Sequence, residues 1–153
     1  MLHIMFVCLG NICRSPMAEF IMKDIVRRRG GTLSIASSAT SREEEGCRVY
    51  PPAAAMLASH GIDCAAKRAA VFTTEDYARC DYILGMESRN VRALYRLTGG
   101  DPDAKIRRLL DYSENPRDIS DPWYTRDFQT AYHDIVEGCE AFYAYLKKEG
   151  RLG

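Results

Sequence analysis

Cys8-Leu9-Gly10-Asn11-Ile12-Cys13-Arg14-Ser15-Pro16, or CLGNICRSP, decides how the rest of this chain is read. Ahead of it stands His3-Ile4-Met5-Phe6-Val7, apolar except for His3; after it, from Met17 to Gly31, apolar residues fall at helical spacing. That pattern predicts a strand over residues 2–7, a turn, and a helix with Pro16 in its first turn and Gly30-Gly31 at its end. Where a loop wraps onto a helix N-terminus, backbone N–H groups converge with partial positive charge and suit a tetrahedral oxyanion. Gly10 and Asn11 fit the tight or left-handed conformations of such a wrap. Arg14 adds a planar fork able to grip two phosphate oxygens. The same field favours a thiolate at Cys8, a nucleophile aimed at a bound phosphoryl group, with Ser15 donating its hydroxyl proton to the sulfur.

Working outward, strands and helices alternate. Residues 32–37 read as a second strand, and Pro51-Pro52 opens a helix closed near His60-Gly61. Thr73 to Asp76 looks like a cap and first turn, and residues 81–85 like a buried strand. Residues 88–97 form a helix closed by Gly99-Gly100, and residues 105–110 a fourth strand. From Asp127 to about Lys148, apolar residues recur every three or four positions and predict a long amphipathic helix. Strands separated by helices pair in parallel through right-handed crossovers. The expected fold is a three-layer α/β domain spanning residues 1–153, a four-stranded parallel sheet with helices on both faces. Its phosphate-binding loop follows the first strand, where ligands of such sheets bind.

The composition excludes several classes. With 21 basic and 21 acidic residues there is no global field to draw nucleic acid or an anionic membrane, so neither is expected as a partner. No apolar run approaches the ~20 residues of a membrane helix, and seven residues before Cys8 are too few for a secretory signal; the expected compartment is cytoplasmic. Six cysteines in a cytosolic chain are expected to stay reduced. No C-x-x-C or H-x-x-x-H occurs, and His3, His60 and His133 lie far apart, so no metal is called for. A nucleotide-binding P-loop would need Gly-Lys-Ser/Thr at its end, and the C-x4-C spacing of Cys8 and Cys13 is not the redox motif.

Val7-Cys8-x-Gly10-Asn11-x-Cys13-Arg14-Ser15-Pro16-x-x-Glu19 resembles the opening motif of the low-molecular-weight protein tyrosine phosphatases. Asp121-Pro122-Trp123-Tyr124 matches the family's second motif, more than a hundred residues on. The resemblance implies hydrolysis of phosphotyrosine through a phosphocysteine intermediate, without cofactor or metal. Cys8 would be the nucleophile, Arg14 the stabiliser of the equatorial oxygens and Asp121 the general acid and then base. The loop from Leu9 through Gly10, Asn11, Ile12 and Cys13 to Ser15 would bind the phosphoryl group, and Leu9, Trp123 and Tyr124 would flank the aromatic ring. Asn11, Ser15 and Ser38 would support the loop by hydrogen bonds. Cys13 would trap an oxidised Cys8 as a disulfide. The partner implied is a tyrosine-phosphorylated protein or peptide, and a weak homodimer is compatible with the sequence.

Some positions depart from the family pattern. Arg42-Glu43-Glu44-Glu45 stands where many relatives place an aromatic wall; the run reads either as a solvated loop or as a preference for basic residues flanking the phosphotyrosine. Lys67 replaces a histidine of many relatives, and Glu87 replaces an aspartate. The arsenate reductases of this fold need two further cysteines around the strand ending at Gly85, which are absent here. The family's arginine phosphatases typically carry Thr where this chain has Ile12, which favours an aryl phosphate. A non-catalytic phosphate-binding module remains an alternative to all of these.

Overall fold

The computed structural model describes residues 1–153. β1 (Leu2–Cys8) is buried along its last five residues, as befits a strand covered on both faces. Its side chains alternate between two cores, with Ile4, Phe6 and Cys8 entering one and Met5 and Val7 the other. β2 (Leu33–Ala39), β3 (Tyr82–Gly85) and β4 (Ile106–Arg108) complete a parallel sheet in the order β2-β1-β3-β4. β1 pairs with β2 from Leu2↔Leu33 to Cys8↔Ala39, and with β3 from Ile4↔Tyr82 to Val7↔Gly85. The carboxyl ends of the three strands therefore meet around Cys8.

The larger core is built by α1 (Arg14–Arg29), α2 (Pro51–Ala58) and α6 (Phe128–Lys148); α3 (Thr74–Arg79) and α4 (Ser88–Thr98) cover the other face. Local chemistry sets their ends. Thr73 and Asp76 form a reciprocal capping box at α3, and Asp127 caps α6 by accepting from the Thr130 amide at 3.0 Å. Gly99, at φ 73°, takes the left-handed conformation that ends α4. Within α6, Gly138 lets the helix close on Leu109, because a Cβ there would lie 2.5 Å from the leucine side chain. No helix is long and apolar enough to cross a membrane.

The fourth strand is shorter than the expected 105–110. It ends at Arg108, and Leu109–Tyr112 turn into a 3-10 helix. Leu109 and Leu110 are both fully buried in the larger core, whereas neighbours in a strand point to opposite faces of the sheet. Asp111 also folds back to accept from the Arg108 amide at 3.0 Å, closing the turn. A second unpredicted element is α5 (Pro122–Thr125), started by Asp121 as N-cap and Pro122 in the first turn.

Candidate active site

The loop after β1 is held by a chain of hydrogen bonds that runs one way. Asn11 has a left-handed φ of 57° and is 1% exposed. Its Oδ1 accepts from the Ala70 amide at 3.0 Å. An amide N–H can only donate, so the Asn11 nitrogen must face the opposite side. There Nδ2 donates to Ser15 Oγ (2.8 Å) and Ser37 Oγ (2.9 Å). Ser15 Oγ, already an acceptor, has its own proton free for the Cys8 sulfur 2.9 Å away. The Asn11 amide donates to the same sulfur at 3.3 Å. Ser37 repeats the pattern outward, donating to Glu19 Oε1 at 2.5 Å. Lys23 donates to the other Glu19 oxygen at 2.6 Å, while Lys67 lies 3.5 Å from Oε1 and donates to the Ser37 carbonyl at 2.9 Å. Two groups able to donate, the Ser15 hydroxyl and the Asn11 amide, thus converge on the Cys8 sulfur.

This network carries one correction. Ser38 was expected to support the loop, but its buried hydroxyl has no hydrogen-bond partner, and Ser37 does the work. Adjacent strand residues face opposite sides of the sheet, and only Ser37 faces α1 and Asn11. Of the tight or left-handed conformations expected at Gly10 and Asn11, only Asn11 is left-handed; Gly10 has no positive φ, and a Cβ there would stand 3.3 Å from Glu44 Cγ, a tight contact with a flexible side chain.

Arg14 opens α1, whose N-terminus has neither a side-chain cap nor an acidic residue in its first turn. The guanidinium is buried and fixed by Nη1, which donates to Glu87 Oε2 (2.5 Å) and to the Ile119 carbonyl (2.8 Å). Burial works against its charge, but Cys8, Asp121 and Glu87 outweigh that and hold its pKa above the ordinary arginine value. Glu87 therefore performs the support that its replacement of an aspartate put in question. On the Nη2 side, Asp121 Oδ2 approaches to 3.4 Å, while Asp121 Oδ1 accepts from the Trp123 amide at 3.0 Å. Upstream, Asp118 is tied to Ser88 and Arg108, and the Ile119 amide donates to the Met86 carbonyl. The segment bearing Asp121 is anchored to the ends of β3 and β4.

Between these groups lies a cavity of about 170 Å³. Cys8 and Arg14 lie at its base, Leu9, Gly10, Ile12 and Cys13 along its wall, and Asp121, Trp123 and Tyr124 at its lip. Glu43 and Glu44 complete the mouth. Leu9, Trp123 and Tyr124 are the exposed apolar side chains expected to flank a ring. Burial pushes the Cys13 thiol far above the usual range, and the nearby Cys8 and Asp121 charges add to this. Residues not anticipated as parts of the site are Ser37, Glu19 as a hydrogen-bond acceptor, and Tyr50, whose ring lies against Trp123 at 4.9 Å.

The sequence profile described as low molecular weight phosphotyrosine protein phosphatase matches residues 3–152. The chain belongs to that family. It is 35% identical to the low molecular weight protein-tyrosine-phosphatase YfkJ of Bacillus subtilis, over 99% of this chain and all of the relative. The crystal structure of YfkJ superposes with a TM-score of 0.94, covering 97% of this chain and 96% of that one. The low molecular weight phosphotyrosine protein phosphatase of Sus scrofa is 38% identical, over 91% of this chain and 92% of its own. A Drosophila arginine phosphatase is similar in structure at 28% identity, with a TM-score of 0.87 over 94% of this chain and 97% of that one. The two stretches that carry the family resemblance both contribute to this cavity, the first through Cys8, Leu9, Gly10, Ile12, Cys13 and Arg14 and the second through Asp121, Trp123 and Tyr124. Cys80, by contrast, is buried in the smaller core at the opposite end of β3, where it cannot meet Cys8 as a reductase's thiol relay would require.

Proposed function

We propose that this phosphatase hydrolyses phosphotyrosine side chains in two displacements. The Cys8 thiolate attacks phosphorus, the S–P bond forms as the P–O bond to the phenol breaks, and the departing oxygen takes a proton from Asp121. The Asp121 carboxylate then takes a proton from water as that water attacks phosphorus, the S–P bond breaks, and thiolate and inorganic phosphate are released. Arg14 and the loop amides hold the three equatorial oxygens, each such donor being worth roughly 10²–10³ in rate. The observation that carries this reading is the one-way hydrogen-bond chain ending on Cys8, beneath an uncapped helix N-terminus and in the same cavity as Arg14 and Asp121.

Apolar walls favour an aryl substrate. Half-burying a tyrosyl ring against Leu9, Ile12 and Trp123 removes roughly 100 Å² from water, or about 2.5 kcal/mol. Ile12 presents a hydrocarbon side chain to the cavity, with no hydroxyl for a guanidino nitrogen. In matched peptides, kcat/KM for phosphotyrosine should therefore exceed that for phosphoserine and phosphoarginine by about 50-fold or more. Dominant phosphoarginine turnover would make this an arginine phosphatase like the Drosophila neighbour, and no turnover of any peptide would leave a binding module.

The mouth adds a choice among phosphotyrosine peptides. Arg42 pairs with Glu45 at 3.6 Å, leaving Glu43 and Glu44 at the mouth of the cavity. Facing solvent, each is worth about 0.2–1 kcal/mol to a cation on the substrate. Peptides with Lys or Arg beside the phosphotyrosine should be favoured about 3- to 20-fold over the same peptides with Glu, and the margin should shrink as salt rises. Replacing both residues in a Glu43→Gln/Glu44→Gln variant should erase the preference; a ranking that survives the substitution would place its origin elsewhere.

A further inference from the structure

We infer that Tyr50 is a positioning residue, a strut that ties the segment bearing Asp121 to the loop bearing Cys8. The inference rests on Asp121 being the proton donor. Tyr50 precedes Pro51-Pro52, and a residue before proline is driven out of the helical region; its φ of −56° and ψ of 131° are extended. So held, its amide donates to the Ile12 carbonyl at 2.7 Å, within the phosphate loop. Its ring departs toward the other wall, with the Trp123 centroid 4.9 Å away at an interplanar angle of 53° and Phe128 at 5.8 Å and 30°. One residue thereby touches the phosphate loop through its backbone and the acid-bearing segment through its side chain.

The contact reaches the carboxylate in one further step. Trp123 donates its amide to Asp121 Oδ1, so the position of Trp123 sets the direction of Oδ2. Arg126 closes the group, its guanidinium 5.9 Å over the Trp123 ring and Nη1 3.4 Å from the Tyr50 hydroxyl. Arg126 adopts a left-handed φ of 62°, a conformation a non-glycine residue keeps only where its surroundings hold it. Asp121 is thus clamped from two sides, upstream where Arg14 binds the Ile119 carbonyl and downstream where Tyr50 backs Trp123. The upstream clamp belongs to the phosphate-binding arginine. The downstream clamp rests on an aromatic ring that does not line the cavity.

A displaced acid should be felt in proportion to how much the leaving group needs its proton. Phenolate, the conjugate base of a phenol with a pKa near that of a tyrosine side chain at about 10, needs it strongly; nitrophenolate, made a better leaving group by its ring substituent, depends on it less. The experiment measures kcat/KM, which reports phosphoenzyme formation, for phenyl phosphate and p-nitrophenyl phosphate with the unsubstituted protein, Tyr50→Ala, Tyr50→Phe and Asp121→Ala. Tyr50→Ala should lose about tenfold on phenyl phosphate and less than about threefold on p-nitrophenyl phosphate, since a misplacement near 1 Å costs up to ~10². Tyr50→Phe keeps the ring and should return both values to within about twofold of the parent. The ratio between the two substrates is taken on one sample, so it does not depend on how much of a variant is folded. Equal losses on both substrates, or a Tyr50→Phe variant as impaired as Tyr50→Ala, would overturn the strut. Asp121→Ala should show the same dependence more strongly; if it shows none, Asp121 is not the acid, and the reading on which the strut depends falls instead.

Discussion

Replacing Cys8 with serine is expected to abolish turnover of every phosphomonoester while leaving the loop able to bind phosphate. The substitution exchanges one atom, and a serine oxygen keeps an acceptor facing Ser15 Oγ and the Asn11 amide. What it loses is ionisation. A thiol deprotonates near 8.5 without help, whereas a hydroxyl must be activated by a base in contact. The groups in contact with the sulfur supply no base: the Asn11 amide donates to it, and Ser15 Oγ, which accepts from Asn11 Nδ2, keeps a proton it can turn to the sulfur. No base replaces the missing charge. Nor can Cys13 substitute, since burial keeps its thiol protonated. The rate should fall at least ~10⁴-fold, the scale on which loss of a covalent nucleophile is felt. Orthophosphate binding by titration calorimetry should stay within about tenfold, because Arg14 and its anchors on Glu87 and Ile119 are untouched. A Cys8→Ser protein retaining a tenth of the parent rate would show that the phosphoryl group is not transferred to this sulfur.

The sheet and the loop after its first strand were legible because they depend on local signals: an apolar strand, a loop of special residue types, a proline-started helix; the choice of Asp121 among the nearby aspartates rests on the family resemblance instead. The support of the loop was less so, and the reason is specific. The resemblance implies Ser38, but the parity of β2 favours Ser37: Ile35 faces the larger core and puts Ser37, two residues on, on the same side. Applied to the sequence, that rule alone would have found the serine beneath Asn11. Glu87 and Lys67 were read as departures from pattern, yet their longer side chains span to Arg14, and to Glu19 and the Ser37 carbonyl. Reach cannot be read from residue type without the backbone separation. Tyr50 had no local signal: it meets Trp123, 73 positions later, only once α2 and α5 are packed across the cavity. The last strand was overextended for the same reason, since what turns Leu109 and Leu110 into the core is α6, much further along the chain.

Asp121→Ala should lower kcat for phosphotyrosine about 10²–10⁴-fold, the usual contribution of a positioned general acid. The residue has a second task, as N-cap of α5, so the alanine variant alone does not separate chemistry from loop order. Asp121→Asn does. An asparagine oxygen can still accept from the Trp123 amide and preserve the cap, whose loss costs about 1 kcal/mol, but an amide can neither give the phenolate its proton nor take one from water. If proton transfer is the function, the two variants should be impaired alike in kcat and differ only in thermal stability. If loop order is the function, the asparagine variant should approach the parent. Phosphate affinity supplies an independent sign. The Asp121 carboxylate stands 3.4 Å from Nη2 of Arg14, the guanidinium proposed to bind the anion, and when ionised it should compete with and repel a phosphate dianion. Both substitutions remove that charge, so inhibition by inorganic phosphate should tighten severalfold while turnover collapses. A general acid produces those opposite movements, whereas a loop that had simply lost its shape would weaken binding together with rate.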